Sequence, residues 1–187
     1  IVFSVLIAVI MDIMPIIRRT LYLILITSQT IPIITLAPLF VIWFGYGYIP
    51  KIFIVVLVCF FPITISLLQG LASVDKELID LLRSMGAKKK HIYKIVKFPS
   101  AMSSFFSGIK ISATYAIMGA IIGEWVGGKN GLGVYMLRAR HSFATDRVFA
   151  SIIVITVLSI GALKLISFIE KKAMPWTIYK NNNYLKG

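Results

Sequence analysis

Long uncharged runs separated by short basic stretches set the pattern of this chain. Residues 52–74 are 23 uncharged positions between Lys51 and Asp75. About 20 mostly apolar residues suffice for a helix to cross a bilayer. Residues 98–123 form a second run, interrupted once by Lys110, and residues 148–169 a third, interrupted once by Lys164. Residues 20–50 carry no charge, but Thr27-Ser28-Gln29-Thr30 and Pro32 break the stretch. A span is expected at about 31–45, preceded by a short surface segment. Residues 1–10 read as the remainder of a further span, because Ile1 opens in the middle of an apolar run. The expectation is an all-α membrane protein with about five transmembrane helices. They form a single domain over residues 1–187 that is incomplete at its N-terminus.

The connecting segments should alternate between the two sides of the membrane, and charge assigns the sides. Segments 11–30, 73–98 and 170–187 hold 13 Lys and Arg residues, whereas segments 45–51 and 124–147 hold 5. Cationic residues accumulate in cytoplasmic loops, so the first set is placed in the cytoplasm. Composition agrees: 58% of residues are hydrophobic, 14% are charged and the mean hydropathy is +0.89. A soluble domain carries about 25% charged residues, so soluble and disordered classes are excluded. The net charge of +13 follows from the basic loops, and no nucleic acid is expected as a partner. Cys59 lies alone in an apolar run and cannot make an internal disulfide, and no Cys/His cluster suggests a metal.

The segment between the third and fourth spans is the most informative. Asp75 is an expected N-cap, Glu77 suits the positive end of a helix and Gly86 suits a C-terminal cap. Between them Leu78, Leu81, Leu82 and Met85 fall at i, i+3, i+4 and i+7, one apolar stripe. A helix of about 11 residues is barely stable alone, so the stripe needs a covering surface. That surface is either the membrane with the chain's own spans or a groove on a partner protein. Lys88-Lys89-Lys90 follows as a solvated edge facing phospholipid, and Pro99 fits the start of the next helix.

This stretch resembles the cytoplasmic signature of binding-protein-dependent ABC transporter permeases. That pattern is Glu-Ala-Ala, three residues, Gly, nine residues, Ile, any residue, Leu-Pro. The matching positions are Asp80-Leu81-Leu82, Gly86, Val96, Phe98 and Pro99, with no gap in spacing. Asp replaces Glu, two Leu replace two Ala, Val replaces Ile and Phe replaces Leu. The resemblance extends along the chain. Ile31-Pro32, Ala37-Pro38-Leu39-Phe40 and Trp43-Phe44-Gly45 are similar to the nitrate/sulfonate/taurine branch, as are Gly123-Glu124 and Gly131-Leu132-Gly133. Gly123-Glu124-Trp125-Val126-Gly127 and Tyr135-Met136-Leu137-Arg138 are most similar to permeases for thiamine-pyrimidine precursors or riboflavin.

The resemblance implies a type I importer permease fold in a bacterial cytoplasmic (inner) membrane. Residues 75–91 would be its coupling segment. Leu78, Asp80, Leu81, Leu82, Arg83, Met85, Gly86 and Ala87 would face a separate ATPase subunit, which binds the ATP and Mg. It also implies an extracytoplasmic substrate-binding protein, a second permease copy and surrounding lipid. The chain itself would bind no cofactor. Consistent with this division, the nearest approach to a phosphate-binding loop, Gly127-Gly128-Lys129-Asn130-Gly131, lacks the Ser or Thr after Lys129. It also falls on the outer side. No Ser-His-acid arrangement supports an enzyme.

Small residues recur every four positions at Ser100, Ser104, Gly108, Ser112, Ala116 and Ala120, and small residues let membrane helices approach closely. Each step of four drifts about 40°, so contacts with different neighbours at different depths are expected. Lys110 and Glu124 are about 21 Å apart along a helix and cannot pair; Lys110 should snorkel toward the cytoplasm. Glu124, Trp125, Gly131 and Gly133 are the candidates for an outer loop or gate, with Glu124 holding the glycine-rich turn or meeting a binding protein. Two rivals remain. An ion-coupled secondary transporter would want paired ionisable groups near mid-membrane, and Lys110 has no partner evident in sequence. A non-transporting scaffold would have no use for the cytoplasmic signature.

Overall fold

The computed structural model describes residues 1–175. The part of the expected cytoplasmic tail segment 170–187 beyond residue 175 lies outside the described residues. Helix α1 (Val2–Ile13) ends where Met14 turns extended, and Pro15 opens α2 (Pro15–Gln29). At that position its missing N–H costs nothing. Helix α3 (Ile33–Phe44) then departs at 93° to α2.

The bend has a local cause. Thr27, Ser28 and Thr30 hydroxyls donate to the carbonyls of Leu23, Leu25 and Thr27 at 2.8, 2.9 and 2.7 Å, a competition that bends helices. Pro32 is extended (φ −62°, ψ 126°) and disfavours a helical residue before it. The expected surface segment is therefore a helix. The expected span at 31–45 is a 12-residue helix of about 18 Å, too short to cross alone; α2 and α3 pass as a span only as a bent pair.

Helix α4 (Tyr48–Ala72) is long and apolar enough to cross, as expected. After it come α5 (Lys76–Ser84), α6 (Lys89–Ile92), a π-helical turn at Tyr93–Lys97 and α7 (Phe98–Gly127). Pro99 stands in the first turn of α7, as expected, but α7 is not a fresh start. From Lys89 to Gly127 the chain is one 39-residue helical run. A proline lacks its N–H and its ring crowds the carbonyl four residues back, and the wider π-turn gives it room. Helices α8 (Leu132–His141) and α9 (Thr145–Ala173) complete the described fold. Among the described residues α4, the Lys89–Gly127 run and α9 are individually long and apolar enough to span. The bent pair and the shorter α1 are the other two apolar segments.

The α4–α7 pair is the centre of the bundle. A Cβ on Gly108 would lie 2.8 Å from the Pro62 carbonyl oxygen and 3.1 Å from the Ile63 Cα; one on Gly70 would lie 2.7 Å from the Ser104 Cβ. The Ser112 hydroxyl donates to the Cys59 carbonyl at 2.9 Å. Several of the small residues of α7 share one neighbour. Ser104, Gly108 and Ser112 all meet α4. Further along α7, Gly119 and Gly123 stand against Val58 and Lys51 of the same helix, while α7 also packs on α3, α8 and α9. Overpacking a tight core typically costs about 1–3 kcal/mol. Gly108→Ala is expected to lower the thermal midpoint by several degrees. Gly161→Ala, whose Cβ would meet nothing within 4 Å, should leave it unchanged.

α4 is 25 residues long, about 37 Å, and the basic segments sort to its two ends. Arg18 and Arg19 line a groove with Leu68 and Gln69 near the C-terminal end of α4, and Asp12 contacts Tyr93 and Lys97. Tyr46 and Lys51 share a groove with Gly127 and Lys129 at the N-terminal end.

Candidate functional site

Helix α5 is built by its ends. Asp75 Oδ1 accepts the Glu77 N–H at 2.9 Å, an N-cap worth about 1 kcal/mol. Glu77 in the first turn and Arg83 in the last complement the helix dipole. Gly86 has φ +82°. Its N–H donates to the Arg83 carbonyl at 2.9 Å, and the Ala87 N–H donates to the Leu82 carbonyl at 3.0 Å. Together these two bonds form a Schellman ending. A 9-residue helix is thus sharply delimited without help from tertiary packing.

Most of its stripe is uncovered, with Leu82 half-buried. Leu78, Leu81 and Met85 are 41%, 58% and 75% exposed, and α5 buries none of its residues. Among the described residues the chain's own helices do not cover the stripe. Ile79, on another face, turns toward Ile13 at the end of α1. Asp80 bonds Arg83 at 3.0 Å on the exposed polar side. Leu82, Met85, Gly86 and Ala87 line one shallow groove with Lys88 and His91. All eight expected interface residues therefore lie on α5 and its C-terminal cap.

Glu124, Trp125, Gly131 and Gly133 gather at the opposite end. Glu124 Oε2 accepts the Gly133 N–H at 2.6 Å. Gly131, at φ +137°, lies so close to the Glu124 carboxylate that a Cβ would overlap it. A Cβ on Gly133 would lie 2.9 Å from the Ile121 carbonyl. These glycines let the turn before α8 close onto the end of α7. The Trp125 indole N–H is buried without a hydrogen-bond partner among the described residues. Glu124→Ala strands the Gly133 N–H, a loss of about 1–3 kcal/mol. Amide exchange across residues 128–134 is expected to rise, while Glu124→Gln, which keeps an acceptor, should retain most of the protection.

Two ionic contacts were not legible in the sequence. Asp12 Oδ2 accepts from Lys97 Nζ at 2.7 Å and from the Tyr93 hydroxyl, with the Asp12 side chain 3% and Lys97 16% exposed. Lys97 Nζ also lies 5.0 Å from the Tyr93 ring centroid. This cluster ties the end of α1 to the π-turn, 85 residues away in sequence. Lys110 is not unpartnered: it forms an ion pair with Glu170 of α9. Glu170 stands three residues before the C-terminal end of α9.

Residues 1–174 match the family described as binding-protein-dependent transport system inner membrane component. The chain is 39% identical over 160 residues to the formylaminopyrimidine transport permease protein ThiX of Halalkalibacterium halodurans, covering 86% of this chain and 64% of that protein. It is 31% identical over 153 residues to the riboflavin transport system permease protein RibX of Chloroflexus aurantiacus, covering 82% and 57%. It is 28% identical over 176 residues to the taurine transport system permease protein TauC of Escherichia coli, covering 94% and 64%. The chain thus spans less than two thirds of the length of these curated relatives.

Proposed function

This chain belongs to the family of binding-protein-dependent transport system inner membrane components, and from that membership we propose that it is the membrane subunit of an ATP-driven importer whose ATPase docks on α5. The observation that carries this reading is the exposed Leu78–Leu81–Met85 stripe on a helix capped at both ends. A short rigid helix with an uncovered apolar face is an element that a partner groove can grip. Two copies of the chain would enclose the pathway. ATP binding would close the ATPases, move α5 of each copy and turn the pathway outward. A binding protein would deliver the solute to the end that carries Glu124. The physical requirement is two arrangements of one bundle, biased differently by nucleotide and by the loaded binding protein.

For the solute, a formylated aminopyrimidine of the thiamine-precursor type comes first. The 39% identity to a formylaminopyrimidine permease supports it, together with the Gly123–Gly127 wording. A sulfonate, taurine or nitrate solute is the second reading, supported by the 28% identity to a taurine permease. Identifying the ligand retained by the cognate binding protein, then measuring ATP-dependent uptake of that ligand, tests both. Uptake driven by a sodium or proton gradient without ATP would instead identify a secondary transporter.

The end of α5 makes a sharper test of docking. At Gly86 a side chain meets no neighbour within 4 Å, but φ is +82°. An L-residue there costs about 1–2 kcal/mol and unwinds the Schellman ending. Gly86→Leu is expected to reduce co-purification of the ATPase severalfold while the permease still accumulates in the membrane. Wild-type recovery of the ATPase counts against the docking role.

A further inference from the structure

Between the end of α1, α5 and α6 lies a cleft of about 490 Å³, the size of a small-ligand pocket. Its walls are apolar, formed by Val9, Ile13, Ile79 and Ile92, and its rim carries Arg83, Lys89 and Lys90. The one acid in its lining, Asp12, is already engaged by Lys97 and Tyr93. Arg83 bonds Asp80 on the exposed side. Lys89 and Lys90 have no acidic partner among the described residues. The cleft therefore joins a greasy interior to a cationic mouth in which Lys89 and Lys90 are uncompensated. It stands where α1 ends, and the rest of its lining comes from the basic segment 73–98.

We propose that this cleft binds an anionic phospholipid, with the phosphate held by Lys89, Lys90 and Arg83 and the glycerol and upper acyl chain lying along Ile13, Val9 and Ile79. An ordinary water-soluble phosphate would gain from the rim but nothing from the walls. A neutral lipid would gain from the walls but not from the rim. Only an anionic amphiphile satisfies both, and basic pockets between spans on the cytoplasmic side are the kind of site such headgroups enter. Arg83 adds a fork suited to phosphate oxygens. A lipid seated there braces α5 against α1 from behind and leaves the Leu78–Leu81–Met85 stripe free. The sidedness, though not the binding, rests on the orientation proposed above.

The test uses the purified chain in neutral detergent, so its outcome does not depend on transport or on an ATPase. Phosphatidylglycerol, phosphatidylcholine and inorganic phosphate are titrated separately, with bound lipid counted by native mass spectrometry and the melting temperature followed. Phosphatidylglycerol is expected to bind and to raise the melting temperature, and phosphatidylcholine to do neither. Lys89→Gln with Lys90→Gln should weaken phosphatidylglycerol binding on the order of thirtyfold. Lys171→Gln with Lys172→Gln, an equal loss of charge on α9, should leave it intact. Absence of phosphatidylglycerol binding, equal retention of phosphatidylcholine, or an equal loss in the α9 pair overturns the proposal. Inorganic phosphate protecting as well as the lipid overturns it too, and marks a free-anion site instead.

Discussion

Leu78→Asp combined with Leu81→Asp is expected to abolish ATP-driven uptake and to remove the ATPase from the purified complex, while the permease folds and inserts normally. The reasoning starts from exposure. The two side chains are 41% and 58% accessible and α5 buries none of its residues, so the substitutions disturb little packing within the chain. Aspartate in place of leucine costs a helix of this length a few tenths of a kcal/mol, and the caps at Asp75 and Gly86 remain. What is lost is an apolar anchor. Each leucine fully buried against a partner contributes about 1.5–3 kcal/mol, and each new carboxylate would have to be desolvated in the same groove. The combined effect on docking should exceed a hundredfold. Three measurements separate the outcomes: membrane yield of the permease, ATPase recovered with it, and uptake. Normal yield with normal ATPase recovery would show that α5 is not the docking element. Lys76→Gln is the matched control, since it is an exposed position of α5 outside the eight expected interface residues; it should cost at most a fewfold.

Sequence and structure agree most closely where the signal was local. The α5 stripe is set by spacing within eight residues, its start by Asp75 and its end by Gly86, and all of these could be read along the chain. The three long spans likewise follow from uncharged length. Glu124 was legible as a neighbour of the glycine-rich turn because the turn follows it within ten residues. Disagreement begins where a distant element decides. Pro99 reads as a helix start and does stand in the first turn of α7, but the π-turn at Tyr93–Lys97 that joins α7 to α6 without a break, with Lys97 tied to Asp12, is not written locally. The stretch 31–45 reads as a span by composition, yet back-bonded hydroxyls at Thr27, Ser28 and Thr30 turn the chain through 93°. The small residues of α7 were visible, but their shared neighbour was not. Lys110 was read as solitary because Glu170 lies 60 residues on, at the far end of another helix. Nothing in a run of hydropathy encodes a pairing between segments that meet only after folding.

Asp12→Ala is expected to be the most destabilising single substitution at the end of the bundle that carries α5. It leaves the Lys97 ammonium 16% exposed with no carboxylate beside it and deprives the Tyr93 hydroxyl of its acceptor. Removing one partner of a buried ion pair typically costs about 3–5 kcal/mol, against about 0–1 kcal/mol for an exposed pair such as Asp80–Arg83. The double change Asp12→Leu with Lys97→Met provides the internal test. It deletes both charges and fills similar space, and replacements of that kind are often neutral or stabilising. The double variant should therefore recover most of the melting temperature lost by Asp12→Ala. Its transport phenotype then carries separate information. If the pair serves only to hold α1 against the π-turn, the apolar double variant transports normally. If the pair also has to open as α5 moves, the double variant folds well, binds the ATPase and hydrolyses ATP with uptake no longer following hydrolysis. Equal melting temperatures for Asp12→Ala and the parent chain would show that the α1–π-turn contact bears no load in the fold.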